Sequence, residues 1–134
     1  DHHTLWGIHV RDMPNFYMMI GPQSLNPVTN VTLLCEEQSK YISNLVKRMK
    51  EQSLTEVEPT AEAVDRWSER CTETAEGKVW LKCNNWYTKS TKTDEQAGRQ
   101  RARLMWMESY EDYLQHLLGE EGGTIDNLLE FSGG

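Results

Sequence analysis

Four histidines and three cysteines are the side chains of this 134-residue chain best suited to chemistry, and their spacing keeps them apart. Only His2 and His3 adjoin, while His9 and His116 stand alone. An adjacent pair in a terminal loop reads as solvated rather than ligating, because metal sites need ligands held at fixed separations. Cys35, Cys71 and Cys83 are odd in number and contain no Cys-x-x-Cys pair, so neither a disulfide framework nor a zinc site is implied. Reduced, mostly buried thiols are the expectation, which fits an intracellular, cytoplasmic protein. Gly-x-Ser-x-Gly, Gly-x-Gly-x-x-Gly and the Walker lysine are all missing from the sequence, so no independent catalytic or metal centre is expected.

One arrangement remains. "PNFYMMIGPQS", Pro14 to Ser24, runs from apolar residues into Gly-Pro, and "LNPVTN" leads from there toward a helix. A helix start offers unpaired N–H groups and the positive end of the macrodipole, and glycine lets another group come close to the backbone. The order fits two readings. It is either a plain strand-to-helix connection or a place for an electron-rich ligand such as the carbonyl edge of a flavin ring.

The elements that would position this turn follow from periodicity. Phe16 to Ile20 is short, wholly apolar and bounded by turn-formers, the pattern of a buried strand in a parallel sheet. From Val31, apolar residues at Leu34, Tyr41, Ile42, Leu45, Val46 and Met49 mark a long amphipathic helix of roughly six turns. Thr29 or Asn30 would cap its start, and Lys47, Arg48 and Lys50 suit its last turns. "EPTAEAVDRW" opens a second helix at Pro59 and Thr60, with Val64, Trp67, Cys71 and Ala75 on one stripe and Gly77 as terminator. "VWLKCNNWY" reads as an extended aromatic segment, and Thr88 to Arg101 as a polar loop or lid. Met107, Tyr110, Leu114, Leu117 and Leu118 predict a third helix closed by Gly119. "TIDNLLEF" suits a short final helix before a flexible "SGG", and "DHHTLWG" reads as loop. A lone strand cannot satisfy its own backbone, so partner strands are expected elsewhere.

The net charge is −7, which argues against broad nucleic-acid binding. Charge is uneven: five basic residues against two acidic lie between Lys89 and Arg103, and seven carboxylates with no Lys or Arg run from Glu108 to the end. Such blocks are ordinarily solvated faces. No apolar run reaches the roughly 20 residues that cross a bilayer, and no signal peptide is visible. "NVT" at Asn30 is a formal glycosylation sequon, read as chance without a secretory context.

"TLWGIHVRDMPNFYMMIGPQS…TN" resembles the stretch of Baeyer–Villiger monooxygenases written "tYLG…GFPNLFmi.GP.s", which leads to an Asn before a long helix. "NNWYTKS" resembles the family's later "sWY.GaN", and the intervening helices agree, so the resemblance runs from Thr4 to Thr88. It implies the C-terminal portion of an α/β flavoprotein with two dinucleotide-binding domains. This piece would be mostly helical, with one buried strand and a long amphipathic helix. Residues 1–58 would carry the last strand and helix of the FAD-binding domain, 59–88 a helix and aromatic segment, and 89–134 a variable lid, closing helix and acidic tail.

The resemblance further implies FAD and NADPH as cofactors, a small-molecule ketone as substrate and insertion of one oxygen atom to give an ester or lactone. The missing N-terminal domains would be the partner without which this segment is inert. It places Gly21, Pro22 and Gln23 beside the flavin, Asn30 and Val31 at the helix start near the ring system, and Leu25, Asn26, Pro27 and Val28 in the loop shaping the ketone pocket. Trp86 would lie near the nicotinamide-side ribose, though a core or interface anchor is an equal use of an amphipathic Trp. After Tyr87 the chain departs from the family's "GaN.PGKp", with "TKSTKTDEQAGRQ" in its place. Tyr113, in "YEDYLQHL", loosely matches the family's closing helix. A free-standing truncated relative, acting as a non-enzymatic binding or interaction protein, is the alternative.

Overall fold

The computed structural model describes residues 3–26, 29–76, 105–119 and 125–133. The first element is a small antiparallel hairpin, β1 (Thr4–Leu5) and β2 (His9–Val10), with Thr4 opposite Val10 and Leu5 opposite His9. Its turn passes through Trp6 and Gly7, both at positive φ (58° and 69°), and Ile8 N–H closes it on the Leu5 carbonyl at 3.0 Å. Paired left-handed residues match the right-handed twist of the flanking strands. Leu5, Trp6 and Ile8 are buried almost completely. The opening segment expected to be loop is therefore part of the core.

The segment expected to be a buried parallel strand, Phe16 to Ile20, is not one. Asn15 and Ile20, at its two ends, have φ of 60° and 55°, which interrupts the extended backbone a strand requires. Tyr17 makes a single antiparallel bridge to His9, and Met18 N–H donates to the Ile8 carbonyl at 2.8 Å. Phe16 and Met19 are 41% and 43% exposed. Asn15 acts as a clamp: its N–H donates to the Val57 carbonyl, its Nδ2 to the Thr55 carbonyl, and its Oδ1 accepts from Val57 N–H.

Helix α1 (Val31–Glu51) begins on Asn30, whose Oδ1 accepts from Thr32 N–H at 2.9 Å. Leu34, Gln38, Tyr41, Leu45 and Met49 form its buried face. Val31 and Val46, expected on that face, are each 48% exposed, and Gln38 fills the gap between Leu34 and Tyr41. Arg48 and Lys50 occupy the last turn, where the macrodipole favours cations.

Strand β3 (Leu54–Pro59) follows directly and pairs antiparallel with β4 (Leu129–Gly133), Val57 opposite Phe131 and Pro59 opposite Leu129, with a register shift between Leu54 and Glu56. Arg48 extends over the Phe131 ring at 5.1 Å. The final "SGG" is thus not a flexible tail through Gly133, which pairs with Leu54. Among the described residues the strands pair with one another, so the expectation of an orphan strand awaiting partners does not hold.

Helix α2 (Ala61–Ala75) is capped by Thr60, whose Oγ1 accepts from Ala63 N–H, and it buries Ala63, Val64, Trp67, Ser68, Cys71, Thr74 and Ala75. Helix α3 (Tyr110–Leu118) starts on Ser109 and ends on Gly119 in the left-handed region (φ 80°), the expected glycine stop. Tyr113 and Leu117 form its buried face, whereas Leu118 is exposed. A single turn, α4 (Ile125–Leu128), precedes β4. Gly77, Cys83, the aromatic segment, the polar lid and the basic block lie outside the described residues. No helix among those described is long and apolar enough to cross a membrane.

The core joins all of these elements: Trp6 and Ile8 from the hairpin, Leu34, Tyr41 and Leu45 from α1, Val57 and Leu129 from the β3–β4 pair, Trp67 and Cys71 from α2, Tyr113 and Leu117 from α3. Trp106 lies parallel to Trp67, ring centroids 4.7 Å apart, with His116 edge-on to both.

Candidate functional site

The Gly-Pro turn is built by close packing of two backbones. Gly21 N–H donates to the Gly7 carbonyl at 3.0 Å, and a Cβ on Gly21 would lie 2.4 Å from that same oxygen. A Cβ on Gly7 would meet Ser24 Oγ at 2.4 Å. The group that approaches Gly21 is therefore the β1–β2 turn. Ser24 Oγ donates to the Gly21 carbonyl at 2.8 Å and finishes the bend.

Beneath the turn, Gln23 is wholly buried at φ 71°. Its Oε1 accepts from Thr4 N–H at 2.9 Å, and its Nε2 donates to Ser68 Oγ at 2.9 Å. Its carbonyl accepts from Trp67 Nε1 at 3.2 Å. Thr4 Oγ1 donates to the Pro22 carbonyl at 2.8 Å and accepts from Gly7 N–H at 3.0 Å. A buried amide must find partners, and this one fastens β1 to α2 through the turn.

A second buried amide locks the approach to the turn. Gln38 Oε1 accepts from Ile20 N–H at 2.8 Å, and its Nε2 donates to Tyr113 Oη at 2.8 Å. Tyr113 Oη in turn donates to the Trp6 carbonyl at 2.7 Å. Burial pushes the Tyr113 phenol up from its ordinary pKa, against a smaller lowering by the Gln38 bond, so it stays a donor. Ile20, a β-branched residue at φ 55°, is a conformational outlier, held by this chain of bonds.

The site residues expected from the sequence divide into three groups. Gly21, Pro22 and Gln23 come together at the turn, but the Gln23 side chain is spent internally, so only backbone is left to meet a ligand. Asn30 and Val31 are exposed at the start of α1. Asn30 Oδ1 caps Thr32, which leaves the N–H groups of Val31 and Leu33 with no carbonyl a turn back in the helix. Leu25 is half-buried, its carbonyl accepting from Trp106 N–H at 3.3 Å; Asn26 is buried, its Nδ2 donating to the Glu108 carbonyl. Pro27, Val28 and Trp86 lie outside the described residues.

Among the described residues, cavities also lie away from this turn. One of about 110 Å³ is apolar, between Leu5, Trp6, Trp67 and Leu128 with Arg66 and Arg70 at its edge. Another, about 380 Å³, lies between His3 and the face of α2 that carries Asp65, Ser68, Glu69, Thr72 and Glu73. His3 is half-buried there, its Nδ1 2.8 Å from Ser68 Oγ, rather than solvated as expected. Among the described residues no three His, Cys, Asp or Glu side chains converge as a metal site. Cys35 and Cys71 are free thiols, and burial pushes the Cys71 thiol well above its ordinary pKa.

Sequence reasoning missed His9, Gln38 and Ser68 as organising groups. Gln38 interrupts an apolar stripe at helical spacing, a signal that could have marked it. His9 is buried, its Nε2 2.8 Å from Tyr41 Oη. Desolvation lowers its pKa from the ordinary 6.5 to about 4, so it is neutral near neutrality.

No protein-family model matches the chain. A Baeyer–Villiger monooxygenase of Pseudooceanicola batsensis is 37% identical over 75 residues, 56% of this chain and 13% of that protein. A cyclohexanone 1,2-monooxygenase of Acinetobacter sp. is 31% identical over 80 residues, 60% of this chain and 14% of the relative. The crystal structure of cyclohexanone monooxygenase from Rhodococcus sp. Phi1 bound to NADP+ superposes on 100% of this chain with a TM-score of 0.81, at 23% identity and over 24% of its own length. The chain therefore has the fold of one part of these enzymes and spans about a seventh of the curated relatives it matches.

Proposed function

Because the chain is related to the Baeyer–Villiger monooxygenases, we propose that it forms part of an FAD- and NADPH-dependent enzyme inserting one oxygen atom of O2 into a ketone to give an ester or lactone. The observation that carries this reading is the 37% identity to a Baeyer–Villiger monooxygenase. The division into residues 1–58, 59–88 and 89–134, a cytoplasmic location and dependence on upstream domains belong to the same proposal.

The turn fits such a role through backbone alone. The exposed first turn of α1 offers the N–H groups of Val31 and Leu33 and the positive end of a 21-residue helix, a setting that favours an electron-rich ring edge. Val31 and Leu33, 48% and 47% exposed, supply apolar surface for a ring face. Gly21 and Pro22 fix where the chain turns toward this helix, while Gln23 and Gln38 hold the turn rigid from behind. Leu25 and Asn26 then orient the pocket loop by their tethers to the 105–108 segment. A bound flavin, reduced by NADPH, supplies the oxygen-activating chemistry; these residues bind, orient and exclude water.

A specific observation favours a second reading. Among the described residues the strands pair with one another and the buried apolar residues form one cluster. A free-standing relative acting as a binding or interaction protein would show this too. Assay of the polypeptide isolated from its natural source decides between them. Ester formation dependent on NADPH and ketone supports the enzyme; a purified polypeptide that consumes no NADPH with any ketone supports the alternative.

A further inference from the structure

His9 and Tyr41 form a buried pair that the site above does not use. Tyr41 Oη and His9 Nε2 are 2.8 Å apart, His9 is 1% exposed and Tyr41 7%. Other oxidisable rings flank the pair. Trp6 meets Tyr41 edge-on at 5.6 Å between centroids, and Tyr17 meets His9 at 5.5 Å. Tyr17 is half-buried and its hydroxyl reaches Met49 Sδ at 3.8 Å, so the cluster runs from the core toward the surface.

We propose that Tyr41 is a redox-active tyrosine whose one-electron oxidation is coupled to transfer of its phenolic proton to Nε2 of His9. The step balances with an outer-sphere one-electron oxidant. One electron leaves the phenol for the oxidant, the O–H bond breaks, an N–H bond forms on Nε2, and a neutral phenoxyl faces an imidazolium. On reduction by one electron the proton returns to Oη.

Four physical points support the assignment. A phenol is hard to oxidise without losing its proton, and a hydrogen-bonded base already in place removes the need for solvent access. Burial keeps His9 neutral, with a pKa of about 4, so Nε2 is a ready acceptor near pH 7. An oxidised phenol is a far stronger acid than imidazolium, so even a histidine of lowered basicity takes the proton. His9 packs edge-on against both Tyr41 and the half-buried Tyr17, at 5.7 and 5.5 Å between centroids, so an electron path from Tyr41 toward the surface runs across the His9 ring to Tyr17. The proposal needs no flavin and stands independently of the monooxygenase reading.

The test is flash-quench oxidation of the full chain by a ruthenium(III) polypyridyl, generated in solution with a cobalt(III) acceptor and followed by electron paramagnetic resonance. The expected result is a neutral tyrosyl signal with a hydrogen-bond coupling that disappears in deuterated water. Tyr41→Phe should abolish that signal, Tyr17→Phe should leave its coupling in place, and His9→Phe should lower its yield. Near-ultraviolet circular dichroism verifies that each variant keeps its packing. Survival of the coupled signal in Tyr41→Phe overturns the assignment. A tyrosyl signal without exchangeable coupling in the unaltered chain overturns it too, whether or not any variant folds.

Discussion

Gly21 and Gly7 meet backbone to backbone: the Gly21 N–H donates to the Gly7 carbonyl at 3.0 Å, and a Cβ on Gly21 would lie 2.4 Å from that oxygen. Met18 Cε, at 2.8 Å from that Cβ, can swing away, but the Gly7 carbonyl is backbone, so the clash with it cannot relax locally. Gly21→Ala should destabilise the fold by about 2–3 kcal/mol, read as a lower urea midpoint with unchanged slope. Gly7→Ala should lose roughly 1 kcal/mol more, because Gly7 also sits at φ 69° where a Cβ is strained. Equal stability of Gly21→Ala and the parent would show that the two backbones are not in contact.

The buried Gln38–Tyr113 pair makes a separate expectation. Gln38→Leu removes the partners of Ile20 N–H and Tyr113 Oη, and an orphaned buried polar group costs about 1–3 kcal/mol. Tyr113→Phe removes the donor to the Trp6 carbonyl at a similar cost. Because both act in one network, the double variant should be less destabilised than the two single changes together. Additive losses in chemical denaturation would mean the bonds act independently.

Stability should fall in mild acid because of His9. Its folded pKa, about 4, lies below the ordinary 6.5 through desolvation, so the unfolded chain binds the extra proton first. The contribution is complete above about pH 6.5, declines as pH falls from there toward 4, and levels off below. At about 1.4 kcal/mol per tenfold, the interval corresponds to at most about 3 kcal/mol. Denaturation midpoints measured across that window should slope for the parent and flatten for His9→Gln; matching slopes would contradict the assignment.

Thiol chemistry should separate the described cysteines. Cys71 is fully buried, with its thiol pushed up by desolvation, while Cys35 is half-buried. Reactivity follows thiolate fraction and access. Native alkylation read by peptide mass should label Cys35 first and leave Cys71 unmodified until denaturant is added. Early labelling of Cys71 would show that α2 opens readily.

Asn30 tests the helix start. Asn30→Ala loses the cap on Thr32 and should cost about 1 kcal/mol; Asn30→Asp keeps the cap acceptor and should restore it. In the polypeptide from its natural source, Asn30→Asp should weaken flavin retention despite normal stability, since it places a negative charge at the proposed ring edge. Unchanged retention would remove Asn30 from the proposed site.

Much of the helical frame was legible. Asn30, Thr60 and Gly119 are local signals whose side chain or backbone freedom acts within one turn, and all three mark the boundaries seen. The β3–β4 pair was not legible. Residues 54–59 and 129–133 are far apart in sequence, and "LTEVEP" carries charged residues on its exposed positions, so nothing local announces their pairing. Phe16 to Ile20 misled because an apolar run reports hydrophobicity, not φ; Asn15 and Ile20 break it at both ends. At the site, the need for glycine at position 21 was readable, but the sequence could not show that the approaching group is Gly7. Gln23 shows the same limit, since a polar residue after a turn gives no local sign of being buried against Thr4 and Ser68.

The most direct measurement is the intact mass of the polypeptide from its natural source, taken together with its absorption spectrum. A subunit several times larger than this chain, eluting with a flavin chromophore, is the predicted result. A colourless species of this chain's own mass would contradict the account.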